Sequence, residues 1–362
     1  MRILYLLYSF TTGGTERLVA DICNEMSSRG NSVYLYIVND LYDDSMLRAV
    51  NPDVQVTLYR RKPSGGGKLK AILDLTRFIC KNRIDVIHCN CPNTPELLLL
   101  KPIAFPKVKV VYTIHNMASY PGFGRIKVLY RNLLCRRLIA ISESVRKTML
   151  AAGAAGKKLV TVYNAIDVSR FPEPASKQFD AGSVTIGCVA RIVCALKGQD
   201  VLLHAIALLK DRYPELKCLL AGSADAAHQN DLEQLKEIVR TQELERNVSF
   251  LGNCEDVPGF LSTLDIFILP SRSEGFGISL VEALAMGLPC IASDLDGPRE
   301  ILEAIRCGIL VPDGDPQALA DVISKVIENY TFYREQAQTV VPAIRSQYDI
   351  PTMCDKLLTA YL

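Results

Sequence analysis

The densest chemistry in the chain sits between two carboxylates. Glu274 and Glu282 bracket Gly275-Phe276-Gly277-Ile278, behind the run Leu269-Pro270-Ser271-Arg272-Ser273. The spacing of Ile278, Val281 and Ala285 predicts a helix from near Gly277, with Glu274 in the loop before it and Glu282 about one turn inside. Eight residues of helix span ~12 Å, and a turn spans less. Two carboxylates at that reach can grip opposite ends of an extended ligand, while N–H groups from Gly275 to Ile278 meet its anionic middle. Read as structure alone, Glu282 is a helix-surface charge, Glu274 a capping residue, and the apolar face core.

A second constellation is cationic. Gly187-Cys188-Val189-Ala190-Arg191 reads as a strand end, and Lys197-Gly198 opens the next helix. Two cations around one post-strand loop suit a diphosphate, Arg by its planar fork and Lys as a compact charge. Each supplies about 4 kcal/mol of gross Coulomb attraction at an effective dielectric near 20, before desolvation. Two solvated surface charges would carry the same letters. His115, just past a strand ending Thr113-Ile114, can hydrogen-bond a phosphate or a hydroxyl; His88 has the same geometry with weaker company and is read as structural. The loop Ser9-Phe10-Thr11-Thr12-Gly13-Gly14-Thr15-Glu16 leads from a first strand into a helix, which suits either close backbone approach by an anion or a tight turn. It lacks the glycines of the dinucleotide fingerprint. Asp294-Leu295-Asp296 and Asp313-Gly314-Asp315 imitate a metal-binding DxD, but both read as turns, and no metal is expected.

These residues need elements to hold them. Short apolar or β-branched runs alternate with segments of helical period throughout, which signals parallel α/β architecture. Strands are expected near 2–8, 33–38, 54–59, 85–88, 109–113, 138–141 and 159–163, then near 184–190, 217–221, 248–251, 266–269, 289–293 and 309–311. Helices fall between them, one over 94–104, and a closing helix is expected near 352–362. Two doubly wound sheets are the simplest assembly, and ligands of such sheets bind outside the carboxyl ends of strands.

Composition agrees. A chain of 362 residues with 49% hydrophobic and 22% charged residues is long enough for two domains and excludes disordered and small disulfide-stapled classes. Its twelve cysteines sit singly in apolar surroundings, which reads as buried reduced thiols and a cytoplasmic compartment. The start, Met1-Arg2-Ile3-Leu4-Tyr5, reads as a buried strand rather than a signal peptide. The net charge of +2 hides a division: residues 1–170 carry 25 basic and 12 acidic side chains, residues 171–362 carry 16 and 27. A half at +13 beside a half at −11 points to an anionic partner for the first.

Taken together, these motifs resemble the family 4 retaining glycosyltransferases. The likeness runs over nearly the whole chain through Gly13-Gly14, Thr113-Ile114-His115-Asn116, Ser142-Glu143-Ser144, Asn164-Ala165-Ile166-Asp167, Arg191 with Lys197-Gly198, Phe250-Leu251-Gly252, Glu274 with Glu282, and Gly297-Pro298-Arg299-Glu300. The resemblance implies the GT-B fold: two Rossmann-like domains facing each other across a cleft, 1–168 receiving the acceptor and 169–345 the nucleotide sugar, with a helix over about 346–362 packing back on the first. It also implies that Arg191 and Lys197 hold the donor diphosphate, that Glu282 binds the ribose and Glu274 the donor sugar, and that His115 contacts sugar and phosphate. Gly13, Gly14, Gly252, Asn253 and the run Gly275, Phe276, Gly277, Ile278 complete the implied donor site. The implied reaction retains configuration without a metal or other cofactor, the diphosphate helping to take the acceptor proton. Ala190 where the family often has Gly, and Asp296-Gly297 where it often has Gly-Gly, leave the donor sugar open.

The acceptor is argued from charge. Cations gather at Arg60-Arg61-Lys62, Lys68 and Lys70, around Gly65-Gly66-Gly67, and at Arg125, Lys127, Arg131, Arg136 and Arg137 around an apolar helix bearing Val128, Leu129, Leu133 and Leu134. Such a helix suits an anionic leaflet, each cation adding about 1 kcal/mol. The expectation is a UDP-sugar transferase on the inner face of the cytoplasmic membrane, with a lipid-linked or lipopolysaccharide-type glycan acceptor and no nucleic acid partner. The alternatives are a GT-B epimerase, a soluble-acceptor transferase, or a silent glycan-binding scaffold.

Overall fold

The computed structural model describes residues 1–62, 67–115, 120–173 and 179–362, and among them thirteen strands run in two sheets. The readings placed on Gly65, Gly66 and Asn116 lie outside the described residues. Two compact units divide the chain: Met1–Ile166 with Ile350–Leu362, and Asp167–Asp349.

The first unit holds β1 (Arg2–Leu7), β2 (Ser32–Asn39), β3 (Gln55–Arg61), β4 (Val86–Cys89), β5 (Lys109–Ile114), β6 (Arg137–Ala140) and β7 (Leu159–Thr161). Its sheet runs β3-β2-β1-β4-β5-β6-β7, every pairing parallel. Ile3 to Leu7 are all buried, as expected of a strand with helices over both faces. The second unit repeats the order with β8 (Thr185–Val189), β9 (Lys217–Ala221), β10 (Val248–Gly252), β11 (Ile266–Leu269), β12 (Cys290–Ser293) and β13 (Ile309–Val311), arranged β10-β9-β8-β11-β12-β13. Its core packs Ile186, Ile268 and Ile291 against Leu202, Leu203 and Ile206 of the Gln199–Leu209 helix. In both sheets the winding direction reverses beside the first strand, between β1 and β4 and between β8 and β11. Loops diverge there and leave a crevice at the carboxyl ends.

Every strand expected from sequence is present; the helices differ more. The expected 94–104 helix is a 3-10 turn, Thr94–Leu97, and a separate turn, Lys101–Ala104. Pro102 lacks an amide hydrogen and clashes with a preceding turn, so one continuous helix cannot form. An 18-residue helix, Tyr330–Gln347, was not legible because Pro342 inside it reads as a stop. The chain passes between units at Ile166/Asp167 and Asp349/Ile350, and the helix over 346–362 is instead Ile350–Tyr361, in the first unit.

That last helix reaches the middle of the first unit. Tyr361 Oη lies 2.7 Å from His88 Nδ1 and 3.0 Å from Tyr5 Oη, while His88 Nε2 lies 2.6 Å from Thr113 Oγ1. Hydroxyls donate or accept as needed, so a neutral imidazole is satisfied at both nitrogens.

Candidate active site

The loops after β8 and β11 are locked together at the backbone. Gly198 (φ +64°) ends the helical turn Cys194–Lys197, and a Cβ placed on it would lie 2.0 Å from the Pro270 carbonyl oxygen. The amides of Arg272 and Ser273 donate to Leu196 O at 2.9 and 3.1 Å. The Arg272 guanidinium forks onto both Asp200 oxygens at 2.7 Å and also donates to Cys194 O at 2.7 Å. Burial alone would raise the Asp200 carboxyl, but the Arg272 fork holds it below the usual carboxylate range. With both loops braced, Lys197 Nζ comes 2.7 Å from Glu274 Oε2, the two side chains 25% and 16% exposed. Arg191, in the same loop after β8, is exposed, its guanidinium in no ion pair among the described residues.

Glu274 is followed by a packed turn. A Cβ on Gly297 would lie 2.8 Å from Glu274 O, Gly275 C and Phe276 N, so the Asp296–Ile305 helix abuts this loop through bare backbone. Gly275 and Phe276 are buried, and the Phe276 ring packs edge-on against Tyr348 at 5.7 Å. The Phe276 side chain is thus a packing residue, and the expectation at this position concerns its backbone N–H. Gly277 (φ +108°) opens the Ile278–Ala285 helix, which has no acid in its first turn and no side-chain cap. Its far end is held by Arg345, bonded to Phe171 O and Pro172 O at 2.7 Å and to Ala285 O at 3.4 Å, and by Arg334, bonded to Gly287 O at 2.6 Å. Glu282, partly exposed on this helix, is near Cys254: burial first, then Asp256 and Glu282, push the Cys254 thiol up. Gly252 ends β10 and Asn253 follows it, directly before Cys254.

In the first unit, Gly13 is in extended backbone, a conformation open to any residue, and a Cβ there would meet Glu16 Oε2 at 2.6 Å. The acid in this first turn makes the Gly13-Gly14 helix start a poorer anion site than the acid-free start at Ile278. His115 follows β5, its Nε2 3.3 Å from Asn90 Oδ1, and burial pushes its pKa down to about 4. It is neutral near pH 7, a hydrogen-bonding group rather than a cation. Burial, with the charge of His115 second, takes His88 down to about 3, in keeping with a structural role.

The basic helix Arg125–Leu134 differs from expectation. Arg131 is fully buried, its guanidinium 3.7 Å from the Phe123 ring and bonded to Lys127 O and Pro92 O at 3.0 and 2.8 Å. Val128 and Leu134 are also buried, and Ile126, Leu129 and Leu133 face outward instead. No helix among the described residues is long and apolar enough to cross a membrane. Of the two DxD pairs, Asp294 and Asp296 both face Arg299, at 2.7 and 3.7 Å, and Asp315 caps the Pro316–Glu328 helix through the Ala318 amide at 3.0 Å.

Sequence reasoning missed the brace of Arg272, Asp200 and Gly198, as well as two buried polar atoms nearby, Gln199 Oε1 and Ser271 Oγ, without partners among the described residues. The one signal was an arginine inside an otherwise small-residue loop, Ser271-Arg272-Ser273.

Comparison with known proteins follows the same division. Residues 12–170 match the family model described as Glycosyltransferase Family 4, and residues 169–342 the one described as Glycosyl transferases group 1. The chain is 27% identical to a phosphatidyl-myo-inositol mannosyltransferase of Mycobacterium tuberculosis over 376 aligned positions, covering 98% of this chain and 94% of that protein. It is 26% identical to an O-antigen biosynthesis glycosyltransferase of Escherichia coli, covering 91% and 90%. Among solved structures it is similar to Anabaena HepE in complex with UDP-glucose, with a TM-score of 0.84 at 23% identity over 99% of this chain and 98% of that one.

Proposed function

Because this chain belongs to the family 4 glycosyltransferases and has their GT-B fold, we propose that it is a retaining transferase. It moves a hexose or N-acetylhexosamine from a UDP-sugar to a lipid-linked or lipopolysaccharide-type acceptor at an anionic membrane surface. The observation that carries the reading is the Lys197–Glu274 pair, 2.7 Å apart at the reversal between β8 and β11. Support for the donor comes from the UDP-glucose complex of the structural neighbour, and for the acceptor from the names of the two relatives.

The chemistry follows from placement. The bond from the sugar's anomeric carbon to the diphosphate breaks, an acceptor hydroxyl bonds that carbon from the same face, and its proton passes to a diphosphate oxygen. Negative charge grows on the leaving group, and in this reading Lys197, the uncommitted Arg191 and the backbone N–H groups at the start of the Ile278–Ala285 helix are the groups that meet it. Glu274 holds sugar hydroxyls and orients Lys197; Glu282 takes the ribose. No resident cation is needed, because the protein supplies the positive charge.

Lys197→Ala and Glu274→Ala are each expected to lower transfer at least about a hundredfold, the scale of losing one preplaced transition-state donor, with circular dichroism unchanged. A panel of nucleotide sugars read by thermal shift and product formation, with and without EDTA, supplies the assay. Full activity in either variant refutes the site, and strict metal dependence refutes the cation-free reading.

A further inference from the structure

We propose that the first turns of two helices in the first unit, joined through Glu96, form one docking surface for the headgroups of an anionic bilayer. Lys68-Leu69-Lys70 opens the Lys68–Lys81 helix, and Arg125-Ile126-Lys127 opens the Arg125–Leu134 helix. The two cation–apolar–cation triplets lie far apart in sequence. In the fold Lys68 Nζ is 3.0 Å from Glu96 Oε2 and Lys127 Nζ is 2.8 Å from Glu96 Oε1, so one carboxylate holds both helix starts together.

Both starts are electrostatically reversed. The positive end of a helix dipole favours acids, yet each of these helices begins after a glycine with no side-chain cap, no acid in its first turn and two cations there instead. Glu96, 17% exposed, answers only part of this charge. Burial would raise its carboxyl, but Lys127 and Lys68 hold it below its ordinary value, and it also faces the buried Arg131 at 3.7 Å. Lys70 and Arg125 are exposed with no ion pair among the described residues. The surplus of positive charge is therefore built in and turned outward.

Between the cations stand bare apolar side chains. Leu69 is 70% exposed and Ile126 85%, and Leu129 and Leu133 continue the Ile126 stripe outward at helical spacing. Large aliphatic tips alternating one-to-one with Lys and Arg do not match a protein interface, whose buried centre is depleted of lysine. Stacking on nucleic acid bases requires aromatic platforms, and these tips are aliphatic. A leaflet edge accepts both at once, the tips entering the acyl boundary while the cations meet phosphates.

The inference rests on the membrane part of the proposed function and adds the residues that make the contact. Its test is co-sedimentation of the full chain with phosphatidylglycerol/phosphatidylcholine vesicles and with pure phosphatidylcholine, in low and moderate salt. Lys70→Glu with Arg125→Glu is expected to lower binding to anionic vesicles more than tenfold. Leu69→Ser with Ile126→Ser is expected to remove the part that survives salt. Both double variants change exposed side chains, and their unfolding midpoints and transfer to a water-soluble acceptor should match the unsubstituted chain. If that chain binds anionic vesicles and both variants bind equally well, this surface is refuted while the membrane reading stands. If that chain binds neither vesicle, the membrane reading falls and this surface with it. RNA binding tighter than vesicle binding and lost in the charge-reversed variant would overturn the choice of a bilayer.

Discussion

A lysine and a glutamate 2.7 Å apart, both partly exposed, contribute little to stability. Pairs of that kind are worth about 0–1 kcal/mol once solvent screening is counted. Lys197→Met and Glu274→Gln should therefore leave the unfolding midpoint nearly unchanged while transfer collapses. A fall in stability as large as the fall in activity would mean that the pair is structural. Histidines set a separate expectation for pH. Burial takes His88 from an ordinary 6.5 to about 3, with the His115 charge second, and burial takes His115 to about 4. The unfolded chain then binds more protons than the folded one below pH ~6.5, so stability is complete above that pH and is lost as pH falls toward 3. The slope approaches about 1.4 kcal/mol per pH unit for each histidine. Thermal unfolding between pH 7.5 and 4.5 measures it, and His88→Asn should flatten the curve; an identical slope in the variant sinks the assignment. At this scale the element positions of Arg191, Lys197, Glu274 and Glu282 were legible because each stands at or within a turn or two of a recognisable strand-to-helix junction. The Arg272–Asp200 fork was not, because its partners are 72 residues apart and neither carries a local pattern.

Glycines do different work at different junctions. Gly198 is left-handed and its missing Cβ would strike the Pro270 carbonyl, a backbone atom that cannot swing away; Gly252 is also left-handed, φ +69°, but nothing lies within 4 Å of its Cβ position. Gly198→Ala should cost about 3 kcal/mol or more and take activity with it, since the Lys197 loop must leave the Glu274 loop. Gly252→Ala should cost only about 1–2 kcal/mol, the strain of a left-handed residue. Urea unfolding of the two variants compares them, and equal midpoints would discredit the backbone brace. The strands were legible from sequence because parallel strands buried on both faces are continuous apolar runs bounded by turns. Helices were legible where one stripe is apolar, as in Gln229–Thr241, and failed where proline interrupts the pattern, at Pro102 and Pro342.

Across the whole molecule the charge division follows the structural units. Met1–Ile166 with Ile350–Leu362 carries 25 basic and 12 acidic side chains, and Asp167–Asp349 carries 16 and 27. The acidic unit holds the Lys197–Glu274 pair, so on the proposed function an anionic donor would be bound there by placed cations and helix N–H groups against the general field. Raising NaCl from about 50 to 300 mM shortens the screening length to well under 10 Å. Vesicle binding by the basic unit should then fall more than tenfold while the UDP-sugar dissociation constant changes only a few-fold. Equal salt sensitivity of the two would argue against this division of labour. The division was visible in the sequence as a count, but Arg131 shows its limit: a cation under Phe123 adds to the total without reaching the surface.

The closing helix also puts a schedule on synthesis. Tyr361, which satisfies His88 in the centre of the first unit, lies in the segment that follows the second unit in the sequence. Translation runs at about 5–20 residues per second, so residues 167–349 separate Ile166 from Ile350 by roughly 10–40 s. The second unit emerges whole during that interval. The first, though made earlier, waits with a histidine lacking its hydroxyl partner. Loss of the Ile350–Tyr361 helix therefore harms the half of the protein that was translated first.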